Sequence, residues 1–311
     1  VLYDLTGYTG SGWAHTAWKN FEENVPERLA RLLHERRMPG CVVVFPDCFT
    51  ALGGNQYINS SAIGDYADYL VRELVPFVDA ELETGGERDR RGCFGKSSGG
   101  YGAIIHGMRH AGTWGAVASH SGDAHFETCY QPMWPEALTH LGAYRKPAPK
   151  AGAVNVEKRA AGLEDGLDDG RVARFLDHFW QKDRPGGDEI ATLMMVAMAA
   201  TYDPDPGAPN GFRLPCNLET GELIPARWRV WRRHDPVNLV RRYAGRLKTL
   251  KGLWIDCGWK DQYHIHFGSR ILSRELGRAG VKHTYEEFDG THSGIDHRMD
   301  RSLPFLARAL R

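Results

Sequence analysis

The sequence predicts an α/β protein with a mostly parallel sheet and helices on both faces of that sheet. Short apolar runs alternate with helical segments up to residue 123 and again after residue 235, an order that is typical of parallel sheets. Residues 41–45 form one continuous apolar run, which indicates a strand buried on both faces. A glycine-rich stretch at residues 95–102 joins a strand-like run to a helical one. These three observations predict the fold class.

Seven elements are predicted in the first part of the chain. A strand at residues 1–5 ends in the turn Gly7-Tyr8-Thr9-Gly10, and a helix at residues 26–37 carries leucines at helical spacing. A long amphipathic helix spans residues 64–83, with Phe77 on its apolar side. The others are the strand at 41–45, a strand opening at residue 91, the helix that follows its glycines, and a strand at 114–119.

The alternation stops between residues 124 and 235, which are rich in proline, glycine and tryptophan. Helices are predicted there at residues 171–182 and 189–202, and loops at 146–152 and 203–215. Alternation resumes with a strand at 253–256, a helix at 269–279, a strand at 283–288 and a helix at 302–310. Because an irregular insertion in such a sheet usually covers the active site, we expect residues 1–123 and 236–311 to form the core and 124–235 an inserted cap or lid.

Composition restricts the classes of partner. The chain of 311 residues balances 39 Lys and Arg against 39 Asp and Glu, so no overall field favours nucleic acid or an anionic membrane. No apolar run approaches the roughly 20 residues of a membrane-spanning helix. We therefore expect a small-molecule partner, no nucleic acid and no membrane, with a homo-oligomer left open. The chain begins at Val1 rather than Met, so we expect that a leader or an upstream segment has been removed.

Cysteine usage favours a reducing compartment such as the cytoplasm. None of the six cysteines forms a Cys-x-x-Cys pair, so a zinc or redox site has no support. Cys41, Cys93 and Cys257 lie in or beside predicted buried strands, where a free thiol behaves as a small apolar group. A disulfide among the other three is left open.

The stretch Gly95-x-Ser97-x-Gly99 carries the most specific functional signal. It lies between a predicted strand and a predicted helix, which is the setting of a nucleophile elbow. Glycines two residues to either side relieve the crowding of so sharp a turn. The serine hydroxyl then stands exposed at the start of a helix, where free N–H groups and the positive end of the helix dipole favour an oxyanion.

The same residues also resemble the end of a phosphate-binding loop. Gly95-Lys96-Ser97 matches the final residues of that motif, and Asp256 after an apolar strand could serve as its magnesium ligand. The motif requires glycine at position 90, however, and the chain has Arg90. The elbow is therefore the favoured interpretation.

A serine nucleophile needs a base and an acid that orients the base. After an elbow of this kind the acid and then the histidine follow in loops after late strands. Asp256 and Asp261 are the candidate acids, and Asp261 is preferred because it lies in the loop beyond the strand. His292 follows the strand at 283–288 and is preferred as base over His297.

The oxyanion hole requires two backbone N–H groups. One is expected from Ser98, the residue after the nucleophile, and the other from the loop after the first strand. In that loop Tyr8 is preferred and Thr9 is the second candidate.

A metal site is the less favoured alternative. His264 with His266 offers one incomplete set of ligands. Asp123, His125 and Glu127 offer the other. Neither has a further well-spaced ligand.

The chain resembles the esterase family of α/β-hydrolases that includes S-formylglutathione hydrolases, feruloyl and enterochelin esterases and the antigen 85 mycolyltransferases. The motifs that carry the resemblance stand at residues 5–10, 43–47, 53–57, 95–103, 119–122, 256–261 and 290–292. The resemblance implies an α/β-hydrolase fold with Ser97 as nucleophile, Asp261 as acid, His292 as base, and Tyr8 and Ser98 as oxyanion donors. Thr6-Gly7 replaces the His-Gly of many relatives, and relatives carry further strands before the first one here.

We therefore predict a serine carboxylesterase that acts through an acyl-enzyme and uses no cofactor. An acyltransferase or a thioesterase with the same triad is the alternative, and a non-catalytic binding module is a third. Large apolar side chains in the insertion suggest either an acyl pocket or the lid's own small core: Trp134, Trp180, Met194, Met195, Trp228 and Trp231.

Overall fold

A computed structural model describes residues 1–146, 156–161 and 165–311. The strands are β1 (Leu2–Leu5), β2 (Val43–Val44), β3 (Asn59–Ser60), β4 (Gly64–Asp65), β5 (Gly92–Lys96), β6 (Ala116–His120), β7 (Gly252–Gly258) and β8 (Thr284–Phe288). Six of them form one sheet in the order β2-β1-β5-β6-β7-β8, and every neighbouring pair is parallel. β3 and β4 form a small antiparallel ribbon. The predicted parallel sheet is confirmed.

Helices surround the sheet. They are α1 (Val25–His34), α2 (Tyr66–Asp68), α3 (Val75–Glu81), α4 (Ser98–Arg109), α5 (Phe126–Cys129), α6 (Trp134–Gly142), α7 (Val156–Ala161), α8 (Arg171–Trp180), α9 (Gly187–Tyr202), α10 (Pro225–Arg232), α11 (Pro236–Leu247), α12 (Ile265–Arg278) and α13 (Met299–Ala309). A π-helical segment, Tyr69–Leu74, joins α2 to α3. Within the described residues no helix is long and apolar enough to cross a membrane.

Alternate strand residues pack against the two helical layers, since successive side chains of a strand point to opposite faces. Phe94 of β5 and Trp254 of β7 belong to a core cluster shared with α1 and α13. Cys93 and Ile255, one residue away in each case, belong to the larger cluster that includes α4, α11 and α12. Both faces of the sheet are therefore buried, as predicted.

Two predictions about local packing are wrong. The run at residues 41–45 lies at the edge of the sheet, where Val42 is 37% exposed. Among the described residues its strand neighbour is β1, with which Val43 and Val44 pair, and a proline follows at residue 46. Phe77 is 61% exposed. The π-helical segment before it adds a residue to the turn and rotates the following side chains away from the predicted face.

Residues 124–235 contain more helix than predicted. The two predicted helices are present as α8 and α9, whereas α5, α6, α7 and α10 are additional. The predicted loop at 203–215 is irregular except for an isolated bridge. Most of the loop at 146–152 lies outside the described residues. That residues 124–235 act as a lid stays a prediction.

The strand order places a crevice between β1 and β5. After β1 the chain moves to β2 on one side, and it returns to β5 on the other side of β1. In open parallel sheets, ligands bind at such a reversal, outside the carboxyl ends of the strands. The loop that follows β1 and the turn that follows β5 therefore meet where a substrate would enter.

Candidate active site

Ser97 occupies a strained turn between β5 and α4. Its backbone angles, φ 57° and ψ −123°, lie in a region that residues other than glycine rarely adopt. The neighbouring β1 leaves no room for side chains here: a Cβ on Gly99 would stand 1.7 Å from the carbonyl oxygen of Leu5, and one on Gly95 would stand 2.2 Å from the same oxygen. Both glycines of the motif are thus required because β5 and the start of α4 approach β1 closely.

The two predicted oxyanion donors lie beside this turn. Ser98 is the first residue of α4, so its N–H has no partner within the helix. Tyr8 lines the same cavity as Ser97, and its hydroxyl donates to the carbonyl oxygen of Leu52 at 2.7 Å. The N–H of Thr9 already donates to the Gly53 carbonyl oxygen at 2.9 Å. Of the two candidates in this loop, Tyr8 is the one whose N–H donates to no other backbone group among the described residues.

His292 and Asp261 form a close pair. The Nδ1 of His292 lies 2.7 Å from Oδ2 of Asp261, and both side chains are buried. The other carboxylate oxygen of Asp261 accepts the N–H of Tyr263 at 2.9 Å. The backbone N–H of His292 donates to the side-chain oxygen of Gln262 at 3.0 Å. The loops after β7 and β8 thus hold one carboxylate and one imidazole in fixed orientation.

A cavity of about 630 Å³ brings the groups together. Ser97, Ser98, Tyr8 and His292 all line it, and Asp261 stands behind the imidazole. Within the described residues the Ser97 hydroxyl makes no hydrogen bond, to His292 or to any other group. Such contacts are often long in unliganded hydrolases and shorten when substrate binds. The arrangement can support attack by the serine on a carbonyl carbon.

Asp256 is committed elsewhere. Its Oδ1 lies 2.7 Å from Nδ1 of His120, and its Oδ2 accepts from Trp254 Nε1 and Arg298 Nε, each at 3.0 Å. Burial alone would raise the pKa of Asp256, but His120 and Arg298 outweigh it and hold that pKa below its usual value. The same contacts occupy the carboxylate that the phosphate-loop interpretation assigns to magnesium.

These contacts create a second serine–histidine–aspartate set. His120 Nε2 lies 2.8 Å from the hydroxyl oxygen of Ser302, and Ser302, His120 and Asp256 are all buried. None of the three lines the cavity around Ser97.

His297, the second candidate base, is exposed, and its ring contacts Phe288 instead of the cavity.

One histidine in the cavity wall was not predicted from the sequence. His15 lines the cavity, and its Nδ1 lies 2.7 Å from Oδ2 of Asp4, a fully buried residue of β1. A signal was present, since an aspartate inside an apolar strand must find a partner. Its partner is eleven residues away in an irregular loop, and no periodic pattern marks that position.

A buried polar network adjoins the oxyanion side of the cavity. The amide nitrogen of Gln56 donates to Ser98 Oγ at 2.8 Å and to Asp123 Oδ2 at 3.3 Å, and the Tyr130 hydroxyl donates to the same carboxylate oxygen at 2.6 Å. Burial raises the pKa of Asp123. The network holds the Ser98 side chain and brings a carboxyl group to the cavity wall.

The large apolar side chains of residues 124–235 have different roles. Met194 lines the cavity, together with Met133 and Ile190. The tryptophans do not: Trp134, Trp228 and Trp231 are buried in the core, and Trp180 is half exposed. An apolar cavity wall and a small internal core are both present.

The described residues offer neither a candidate metal site nor a disulfide bond. They contain no group of three His, Cys, Asp or Glu side chains that could hold a metal ion. All six cysteines are described, and each is a free thiol.

Comparison with known proteins identifies the family. The model of the family described as "Putative esterase" matches residues 55–300, most of the chain. The chain belongs to this esterase family. Membership supports an enzyme that hydrolyses esters, as the sequence predicts.

Solved structures of similar fold agree. A ferulic acid esterase superposes with a TM-score of 0.56 at 17% identity, covering 100% of this chain and 85% of the other. An S-formylglutathione hydrolase from Agrobacterium tumefaciens superposes with a TM-score of 0.54 at 15% identity, covering 100% of this chain and 84% of the other. MPT51 of Mycobacterium tuberculosis superposes with a TM-score of 0.51 at 16% identity, covering 100% of this chain and 90% of the other. At such identities the likeness shows the fold alone, and it confirms the predicted α/β-hydrolase fold.

A curated relative shares a short stretch of sequence. Esterase Rv1288 of Mycobacterium tuberculosis is 33% identical over 89 residues, which are 27% of this chain and 18% of that protein. The matched part is thus less than a fifth of the relative's length.

Proposed function

We propose that the chain is a serine carboxylesterase that forms an acyl-enzyme on Ser97, with a small-molecule ester as its substrate. One observation carries the proposal: Ser97, on its strained turn, lines the same cavity as His292, whose Nδ1 is held by Asp261. Family membership supports the chemistry.

The proposed reaction begins with proton transfer. An ionised Asp261 only accepts hydrogen bonds, so Nδ1 of His292 carries a proton and Nε2 is free to act as base. Nε2 takes the Ser97 proton as Oγ attacks the ester carbonyl carbon. The N–H groups of Tyr8 and Ser98 donate to the oxyanion. The intermediate then expels the alcohol oxygen, which receives the proton held on Nε2.

Deacylation repeats these steps with water. His292 removes a proton from water, the resulting hydroxide attacks the acyl carbon, and collapse returns the proton to Ser97 Oγ as the carboxylic acid leaves. Side chains and water carry every proton and electron pair, so the reaction as written calls for no cofactor.

Labelling with a fluorophosphonate, read by intact mass, tests the proposal. We expect one adduct on the wild type and none on Ser97→Ala. Ser302→Ala is the matched control, because that serine also lies beside a histidine–aspartate pair but outside the cavity, and it should label like the wild type. A folded wild type that takes no label, or a Ser97→Ala protein that still does, would overturn the proposal.

A further inference from the structure

Basic side chains are concentrated in one part of the cavity wall. His15 and Lys19 come from the loop after β1, and Lys96 immediately precedes Ser97. The part of the wall formed by Met133, Ile190 and Met194 is apolar. A ligand that fills the cavity therefore meets an apolar surface and a basic one.

Two of these basic groups have partners that fix their position. Asp4 holds Nδ1 of His15 at 2.7 Å, which leaves Nε2 for a ligand. Burial alone would lower the pKa of His15, but the Asp4 carboxylate outweighs it and raises that pKa. Lys19 forms an ion pair with Asp296, which also lines the cavity. The positive charge of Lys19 thereby balances the negative charge of Asp296.

Lys96 differs from the other two. Within the described residues its ammonium group forms no ion pair and no side-chain hydrogen bond, although the residue is half-buried. It lies close enough to Asp296 to help lower the pKa of that carboxyl, together with Lys19 and His15 and against the effect of burial. The ammonium group therefore has three N–H donors that no side chain among the described residues accepts.

The remaining acid in the cavity does not supply the missing partner. Asp123 accepts hydrogen bonds from Tyr130 and Gln56, and burial raises its pKa.

We infer that Lys96 and Nε2 of His15 bind a carboxylate group carried by the ester substrate. This inference rests on the proposed function, and it predicts that the substrates are esters with one apolar part and one anionic part. The carboxylate receives charge-assisted hydrogen bonds from the ammonium and imidazole groups. The Lys19–Asp296 pair borders this subsite and keeps the charge of Asp296 from repelling the ligand.

Kinetics with matched ester pairs test the inference. One pair places the carboxylate on the acyl group (4-nitrophenyl hydrogen glutarate against 4-nitrophenyl butanoate). The other places it on the leaving group (3-carboxyphenyl acetate against phenyl acetate). The readout is kcat/KM for the anionic ester divided by that for the neutral one, so differences in intrinsic reactivity cancel between variants.

We expect Lys96→Met and His15→Gln each to lower this ratio by about ten- to a hundredfold for one of the two pairs, the loss typical of a charge-assisted hydrogen bond. Lys282→Gln, at an exposed lysine between α12 and β8, is the control and should leave the ratio unchanged. A ratio that is the same in all four proteins for both pairs overturns the inference.

Binding to the inactive Ser97→Ala protein separates this inference from the proposed function. Calorimetric titration with monomethyl glutarate and with acetoxyacetate measures recognition without turnover, and methyl butanoate is the neutral reference. Preferential binding of an anionic ester that Lys96→Met abolishes supports the subsite even if Ser97 is not the nucleophile. Equal binding of anionic and neutral esters refutes it even if fluorophosphonate labels Ser97.

Discussion

Replacing Asp261 by asparagine tests how the histidine is held. One carboxylate oxygen accepts the N–H of Tyr263 at 2.9 Å, and the other accepts from Nδ1 of His292 at 2.7 Å and from the Cys257 thiol at 3.8 Å. An asparagine has one oxygen, and the Tyr263 N–H requires it. The amide NH₂ group would then face Nδ1, which must give up its proton, and Nε2 would become protonated and unable to act as base.

The size of the effect follows from the two orientations of that amide. With the oxygen on Tyr263, the wrong tautomer of the histidine costs about 10⁴-fold in kcat. The flipped amide restores the tautomer but leaves a buried N–H unpaired, at about 1–3 kcal/mol, and weakens a charge-assisted bond to a neutral one. We therefore expect Asp261→Asn to lower kcat by about 10²- to 10⁴-fold, which is ~2.7–5.4 kcal/mol.

The assay is hydrolysis of a 4-nitrophenyl ester together with the rate of fluorophosphonate labelling. Asp289→Asn serves as the control, because that aspartate is exposed, pairs with Lys260 and lies in the same group of loops. It should stay within about threefold of the wild type, since exposed ion pairs contribute little. An Asp261→Asn enzyme within tenfold of the wild type would refute the proposed role of the acid.

Three further variants separate structural roles from catalytic ones. Asp256→Asn should lower the melting temperature because His120 loses its carboxylate, while the folded protein still labels with fluorophosphonate; loss of labelling would contradict this. Gly99→Ala should unfold the protein or prevent its accumulation, since the Cβ would overlap backbone atoms, whereas Gly112→Ala, with no atom within 4 Å, should melt within a few degrees of the wild type. Burial raises the pKa of Asp123, so the stability that this carboxyl contributes is present at low pH and is lost as pH rises through the pKa of the folded state. The change in melting temperature caused by Asp123→Asn should therefore be more favourable at pH 8 than at pH 4. An equal change at both pH values would refute this.

The sequence predicts the parts of the site whose geometry is local. The turn at Ser97 follows from glycines two residues to either side, and the loop position of Asp261 separates it from Asp256 inside the strand. These features depend on a few neighbouring residues. Steric limits at that range can be worked out from residue types alone.

Features that depend on distant partners could not be predicted. Asp4 and His15 meet only because an irregular loop returns to β1. Val43 and Val44 look buried on both faces, but their position in the order of strands puts them at an edge. The face of the helix at Phe77 depends on a π-helical segment that apolar periodicity does not reveal. In each case the tertiary arrangement overrides the local pattern.

The buried set of Ser302, His120 and Asp256 has a consequence for recognising enzymes by shape. Its two contacts, of 2.8 Å and 2.7 Å, match those expected of a catalytic triad. The three side chains nevertheless lie in the interior, where they connect β6, β7 and α13 by hydrogen bonds. A search for three side chains in triad geometry would select this set before the one at Ser97, because no hydrogen bond joins Ser97 to His292 in the described residues. The candidate site at Ser97 differs from this set in that Ser97 and His292 line a cavity, whereas Ser302, His120 and Asp256 do not.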